Sequence, residues 1–68
     1  MRHIEQDSAQ DRLDHLKIAT LGRKVQRNGT SQTAIVLGVR AQRDGFEYYL
    51  DSGVGRAYAP TTEWSLVR

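Results

Sequence analysis

The sequence has no cysteine, a single proline and only two histidines. The absence of cysteine excludes disulfides and thiolate zinc sites. His3 and His15 alone are too few for a structural metal site, so we expect no cofactor. No apolar run approaches the roughly 20 residues that a membrane-spanning helix needs, and residues 1–11 lack the apolar segment of a signal peptide. We therefore predict a cytoplasmic protein with no membrane partner.

The residue patterns of common catalytic sites are also missing. There is no cysteine nucleophile and no serine flanked by glycines. His15 stands beside Asp14, which is too local to indicate a catalytic triad. The segment Gly53-Val54-Gly55 is not followed by the Lys-Ser/Thr pair that a phosphate-binding loop requires. We predict that the chain is not an enzyme.

The chain is short, and its charge is unevenly distributed. With 68 residues it forms one small domain, whose stability depends on close packing or on self-association. Residues 1–20 carry three basic and four acidic side chains, a net charge of −1. Residues 21–68 carry seven basic and four acidic side chains, a net charge of +3. A basic domain with a slightly acidic leader is compatible with either a solvated surface or a weak phosphate-binding face.

The leader, residues 1–20, contains one short helical pattern. Asp7 or Ser8 is a candidate N-cap. Ala9, Leu13 and Leu16 follow at spacings of four and three, which predicts an amphipathic helix of about ten residues ending near residue 17 or 18. A helix this short is unstable alone in water. We expect it to pack on its own domain or on a neighbouring subunit.

A predicted β-hairpin, residues 34–51, organises the rest of the chain. Phe46, Tyr48 and Leu50 alternate with polar residues, and an Asp-Gly turn precedes them at residues 43–45. In the first strand, residues 35, 37 and 39 are predicted to share one face, and both faces are predicted to be buried near its start. Gly38 predicts a bulge or bend that would let the strand close a small barrel.

Three further short strands are predicted around the hairpin, at residues 23–27, 56–59 and 65–67. Asn28-Gly29 predicts a turn. One helical turn is expected at residues 61–64, capped by Thr61 or Thr62. The pattern indicates an all-β domain at residues 21–68, with five strands, preceded by a short N-terminal α-helix.

This arrangement resembles known small β-barrels. Gly22 and Val25, the Asn28-Gly29 turn, the strand rich in valine and isoleucine, and the acidic strand ending at Asp51 are similar to KOW and Tudor-type domains. That resemblance implies a five-stranded SH3-like barrel. With the helix included, the layout resembles the Sm-like, Hfq-type proteins, which form rings and bind RNA. Of their Tyr-Lys-His signature, which falls on residues 58–60, only the tyrosine is present.

Two kinds of binding function remain open. The first is RNA or DNA binding through basic residues with tyrosines as stacking surfaces; the residues are Arg23, Lys24, Arg27, Arg40, Arg43, Arg56, Tyr49 and Tyr58. The structural alternative is that the arginines pair with Asp51, Glu47 and Glu63. The second function is protein binding or assembly, as in an accessory or mobile-element protein that self-associates through its helix or a strand edge. Trp64 would line an aromatic groove with the tyrosines or fill the core.

Overall fold

A computed structural model describes residues 4–68, with side chains from Gln10 onward. One helix precedes five strands: α1 is Ile4–Thr20, β1 Lys24–Arg27, β2 Thr33–Gln42, β3 Gly45–Asp51, β4 Arg56–Pro60 and β5 Trp64–Leu66. A 3-10 turn, Thr61–Glu63, connects β4 to β5. The strands form one antiparallel sheet in the order β4-β3-β2-β1-β5. The prediction of a mostly β domain with an N-terminal helix is confirmed, and the sheet is open between β4 and β5.

Helix α1 is longer than predicted. It has 17 residues, so the predicted length of about ten is wrong, and Asp7 and Ser8 lie within the helix instead of capping it. The apolar spacing did not predict the additional turns, because their residues form no apolar stripe. Leu13 and Leu16 pack against the core of the same chain, which confirms docking on its own domain. The helix ends at Thr20, a buried residue whose hydroxyl donates to the Leu16 carbonyl oxygen at 2.6 Å.

The hairpin is confirmed, with a two-residue turn at Arg43 and Asp44 between β2 and β3. Its register shifts between Val36 and Gly38, so the predicted irregularity at Gly38 is present. Leu37 is the extra residue of this bulge. A bulge bends its strand and increases the local twist.

The bulge also overturns the predicted faces of β2. Ala34, Val36 and Val39 are buried, whereas Ile35 and Leu37 are exposed at 36% and 42%. Simple alternation placed Val39 with residues 35 and 37, but one extra residue in the strand reverses the side that later residues face. The prediction that both faces are buried at the start of this strand is wrong for the single chain.

Seven buried residues form the core, which lies on one face of the sheet: Val25, Ala34, Val36, Val39, Tyr48, Leu50 and Trp64. Helix α1 covers part of this face through Leu13 and Leu16. Trp64 is 9% exposed, so it is a core residue and not the wall of an aromatic groove with the tyrosines. We call the opposite side of β1, β2, β3 and β4 the outer face.

The C-terminal elements are each shifted slightly from their predicted bounds. The helical turn ends at Glu63, and Trp64 begins β5. Pro60 precedes the turn, and no side chain caps it, so the prediction of a threonine cap is wrong. Asn28 fixes this region instead: its side chain donates to the Thr62 carbonyl oxygen at 3.0 Å and accepts from the Ser65 hydroxyl at 2.6 Å. Among the described residues, no helix has the length and apolar character needed to cross a membrane.

Candidate nucleic-acid interface

The outer face carries the tyrosines and two of the arginines singled out by the sequence. Because successive side chains of a strand point to opposite sides, Tyr49 lies on the reverse of Tyr48 and Leu50, which are buried. Tyr58 stands directly opposite Tyr49 in the β3–β4 register. Tyr58 is 45% exposed, and Tyr49 is half-buried. The predicted orientation of both tyrosines, away from the core, is confirmed.

The two rings contact each other. Their centroids are 4.7 Å apart and their planes are inclined by 38°. This separation is within the range of favourable aromatic pairs. Gly38, opposite Tyr49 in the β2–β3 register, leaves room beside the pair because it has no side chain. The rings therefore form a fixed aromatic surface on the outer face.

Arg40 completes this surface. Its guanidinium carbon lies 3.5 Å from the centroid of the Tyr58 ring, a cation–π contact. Its Nε donates to Oε1 of Glu47 at 2.9 Å, and Nη2 lies 2.8 Å from the same oxygen. We call the group formed by Arg40, Tyr49 and Tyr58 the tyrosine platform. Glu47 holds the arginine of the platform by two contacts to one carboxylate oxygen.

Two other predicted arginines also pair with carboxylates. Nε of Arg56 lies 3.6 Å from Oδ2 of Asp51, its neighbour across the β3–β4 pair. At the end of β1, Nη2 of Arg27 lies 3.9 Å from Oε1 of Glu63. Both pairs are largely exposed, so each adds little to stability. The structural alternative left open by the sequence is thus present for three arginines, and these charges are already partly neutralised.

The remaining basic residues lie away from the platform or at its margin. Lys24 stands opposite Ile35 in the β1–β2 register, and Ile35 stands opposite Asp51 in the β2–β3 register, so Lys24 lies on the outer face. Arg23 is exposed just before β1, and Arg43 is exposed in the hairpin turn. Among the described residues, no ion pair involves these three cations. Their charges are available to an anionic ligand.

By the same alternation, Arg27 lies on the side of β1 that carries Val25, not on the outer face. The structure therefore divides the predicted set. Arg40, Arg56, Lys24 and the two tyrosines share the outer face. Arg27 lies on the other side of β1, and Arg23 and Arg43 lie outside the strands, before β1 and in the hairpin turn.

The partner of each arginine was not predicted, although the sequence contains the information for Arg40. A two-residue turn at Arg43 and Asp44 fixes the hairpin register, and counting outward from it places Arg40 opposite Glu47. Exposed Leu37 was missed for a different reason: the sequence placed it on one face with Val39, which is buried, and the bulge at Leu37 reverses the side that residues from Gly38 onward face.

An apolar cleft lies on the core side, next to β4. Its volume is about 290 Å³, and Ala34, Leu50, Ala57, Ala59 and Trp64 line its floor. Ala57 and Ala59 belong to β4, an edge strand of the sheet. No cluster of three or more potential metal ligands occurs among the residues that the structure describes, and His3 lies outside them. His15 is exposed on α1.

The chain has no significant match among protein-family models, curated proteins or solved structures.

Proposed function

We propose that this chain is a non-enzymatic binding module that binds single-stranded RNA or DNA through the outer face. The observation that carries the proposal is the tyrosine platform, in which exposed Tyr58 contacts half-buried Tyr49 and Arg40 lies over the Tyr58 ring. Single-strand binders that tolerate many sequences combine aromatic stacking surfaces with nearby positive charge. Here Lys24 and Arg56 supply positive charge on the same face. Arg23 directly precedes Lys24 in the chain.

Two ion pairs limit how strongly this surface attracts phosphate. Glu47 and Asp51 each offset one arginine of the outer face. The net charge of the whole chain is only +2. We therefore propose moderate affinity, in which base stacking on the platform supplies a larger share than phosphate contacts do.

The direct test is fluorescence anisotropy with labelled single-stranded RNA and DNA of about twelve nucleotides, a length typical of small-barrel sites. The titration is made at about 50 mM salt, where phosphate contacts are strongest. Replacing Tyr58 with alanine removes one ring and should weaken binding by about fivefold or more. Tyr58→Phe is the matched control, because it keeps the ring and should retain binding. Undetectable binding of the wild-type chain would refute the proposal.

A second candidate function, assembly into an oligomer, is favoured by exposed apolar side chains. Ile35 and Leu37 are exposed on β2, and Ile18 is 81% exposed at the end of α1. Strands β4 and β5 each have one neighbour, so both edges carry unpaired backbone groups. Either feature could bind a second copy of the chain or another protein.

Sedimentation velocity at several concentrations tests this candidate. An assembly built on the outer face should dissociate when Leu37 is replaced by glutamine, whereas Val54→Gln, at a 98% exposed loop position, should leave it intact. A wild-type chain that stays monomeric at high concentration would rule out assembly by self-association.

We also propose that the sheet curves towards an SH3-like barrel and that the protein is cytoplasmic. The strand order and the bulge at Leu37 support the first point. An experimental structure that showed a flat, uncurved sheet would contradict it.

A further inference from the structure

We infer that Arg40, which contacts Glu47 through Nε and Nη2, contributes a flat stacking surface for a nucleic-acid base and not a phosphate contact. This inference rests on the proposed function and assigns a chemical role within it. The ligand group expected at Arg40 is an unstacked base, which only a single strand, a loop or an end presents.

The first step of the argument is the placement of the guanidinium group. At 3.5 Å from the Tyr58 centroid, it is in contact with one face of that ring. A planar group that contacts a ring on one side presents its other side outward. The side chain of Arg40 is 47% exposed, so that outward side is accessible to a ligand. Guanidinium planes stack on bases much as aromatic rings do.

The second step concerns charge. Glu47 accepts from Nε of Arg40 and lies within 2.8 Å of Nη2, so the carboxylate offsets the arginine charge at close range. A phosphate approaching Arg40 would also meet this carboxylate, and like charges placed together disfavour binding. A neutral base does not incur this repulsion. The pair therefore selects a planar neutral group over an anion.

The third step concerns rigidity. Arg40 and Glu47 are directly opposite each other in the antiparallel register, and Tyr58 is in register with Tyr49 on the next strand pair. All four side chains thus rise from hydrogen-bonded strands and not from a loop. A stacking surface fixed in advance binds a base with little loss of side-chain freedom.

The substitution Arg40→Lys separates the two roles. Lysine keeps the positive charge but lacks the plane, and it still serves as a point charge for phosphate. We expect R40K to weaken binding of a single-stranded oligothymidine by about fivefold. The salt dependence of binding should change little, because no charge is lost.

Arg27→Lys is the matched control. Arg27 also pairs with a carboxylate, Glu63, but it lies on the side of β1 that carries Val25 and not on the outer face. R27K should bind within about twofold of wild type, since its charge is kept and it lies away from the tyrosine platform. Thermal unfolding of both variants confirms that each is folded.

A second experiment removes the bases of the ligand instead of the guanidinium group of Arg40. An abasic strand of the same length keeps every phosphate, so wild type should bind it about fivefold or more weakly than oligothymidine. R40K should reduce this preference. If wild type binds and Y58A is weakened, but R40K matches wild type on both strands, the stacking role of Arg40 is refuted and the proposed function stands. If wild type binds neither strand, both are refuted.

Discussion

Gly38 lies beside the bulged residue of β2, but its structural role is limited. A Cβ at this position would meet the Tyr49 Cβ at 3.7 Å, an ordinary contact, and its backbone does not have a positive φ. We expect Gly38→Ala to change the free energy of unfolding by less than about 0.5 kcal/mol. Gly29→Ala should cost about 1 kcal/mol, because Gly29 has a φ of 78°.

Urea unfolding of the two alanine variants measures this difference. A larger loss for Gly38→Ala than for Gly29→Ala would show that the bulge itself requires glycine. The sequence correctly indicated an irregularity at Gly38 from the lone glycine. It could not distinguish a glycine required by backbone conformation from one that merely provides room beside Tyr49.

Burial raises the pKa of the Tyr48 phenol above its ordinary value. In the unfolded chain the same phenol ionises near pH 10, its ordinary value. Above about pH 10 the unfolded state therefore loses this proton while the folded state keeps it. The contribution to stability is fully present at lower pH and is lost as pH rises through the folded-state pKa.

The variant Tyr48→Phe cannot ionise, so it should lose less stability than wild type between about pH 8 and pH 11. Urea unfolding at several pH values in this range measures the difference. Near-neutral stability should be similar in the two proteins, because the phenol hydroxyl has no hydrogen-bond partner among the described residues. Equal losses at high pH would contradict the assigned cause.

At the scale of elements, α1 stabilises the sheet through only part of its length. Leu16 packs against the core, whereas Ile18, two residues later on the same helix, is exposed. Replacing a partly buried leucine with alanine should cost about 1–3 kcal/mol. Leu16→Ala should therefore destabilise the domain by that amount, while Ile18→Ala should change stability by less than about 0.5 kcal/mol.

Chemical denaturation of both variants tests this packing. Comparable losses would mean that the exposed residue also packs against something, such as a second copy of the chain. No loss in either variant would mean that the helix does not contribute to folding through this contact.

The elements differed in how far the sequence could predict them. The hairpin was predictable because its Asp-Gly turn and the period-two pattern of β3 are both local signals. The first turns of α1 were not, because residues 4–8 are polar except for Ile4 and carry no apolar periodicity. The faces of β2 were misassigned because a bulge is set by the partner strand, which local alternation does not describe.

The candidate site shows the same division between local and tertiary information. Alternation along β3 was enough to place Tyr49 opposite the core side. That Tyr58 lies beside it depends on the β3–β4 register, across the loop at residues 52–55. Glycines and a serine in that loop allow several registers, so only the folded chain specifies the ring contact.

At the scale of the whole molecule, one face of the sheet packs against the core and the other face is exposed. The core, α1 and Trp64 occupy the inner side. The outer side holds the tyrosine platform, Lys24 and two arginine–carboxylate pairs. With its charges nearly balanced, this surface is better suited to stacking a base than to binding a dense array of phosphates.

Mapping of the bound surface by NMR tests the central claim most directly. In a titration of the labelled protein with single-stranded oligothymidine, amide shifts should concentrate at Gly38, Arg40, Tyr49 and Tyr58. The amide shifts of residues on the opposite side, such as Val25 and Trp64, should change little. Absence of shifts at saturating oligonucleotide, or shifts confined to the free edges of β4 and β5, would contradict nucleic-acid binding by the outer face.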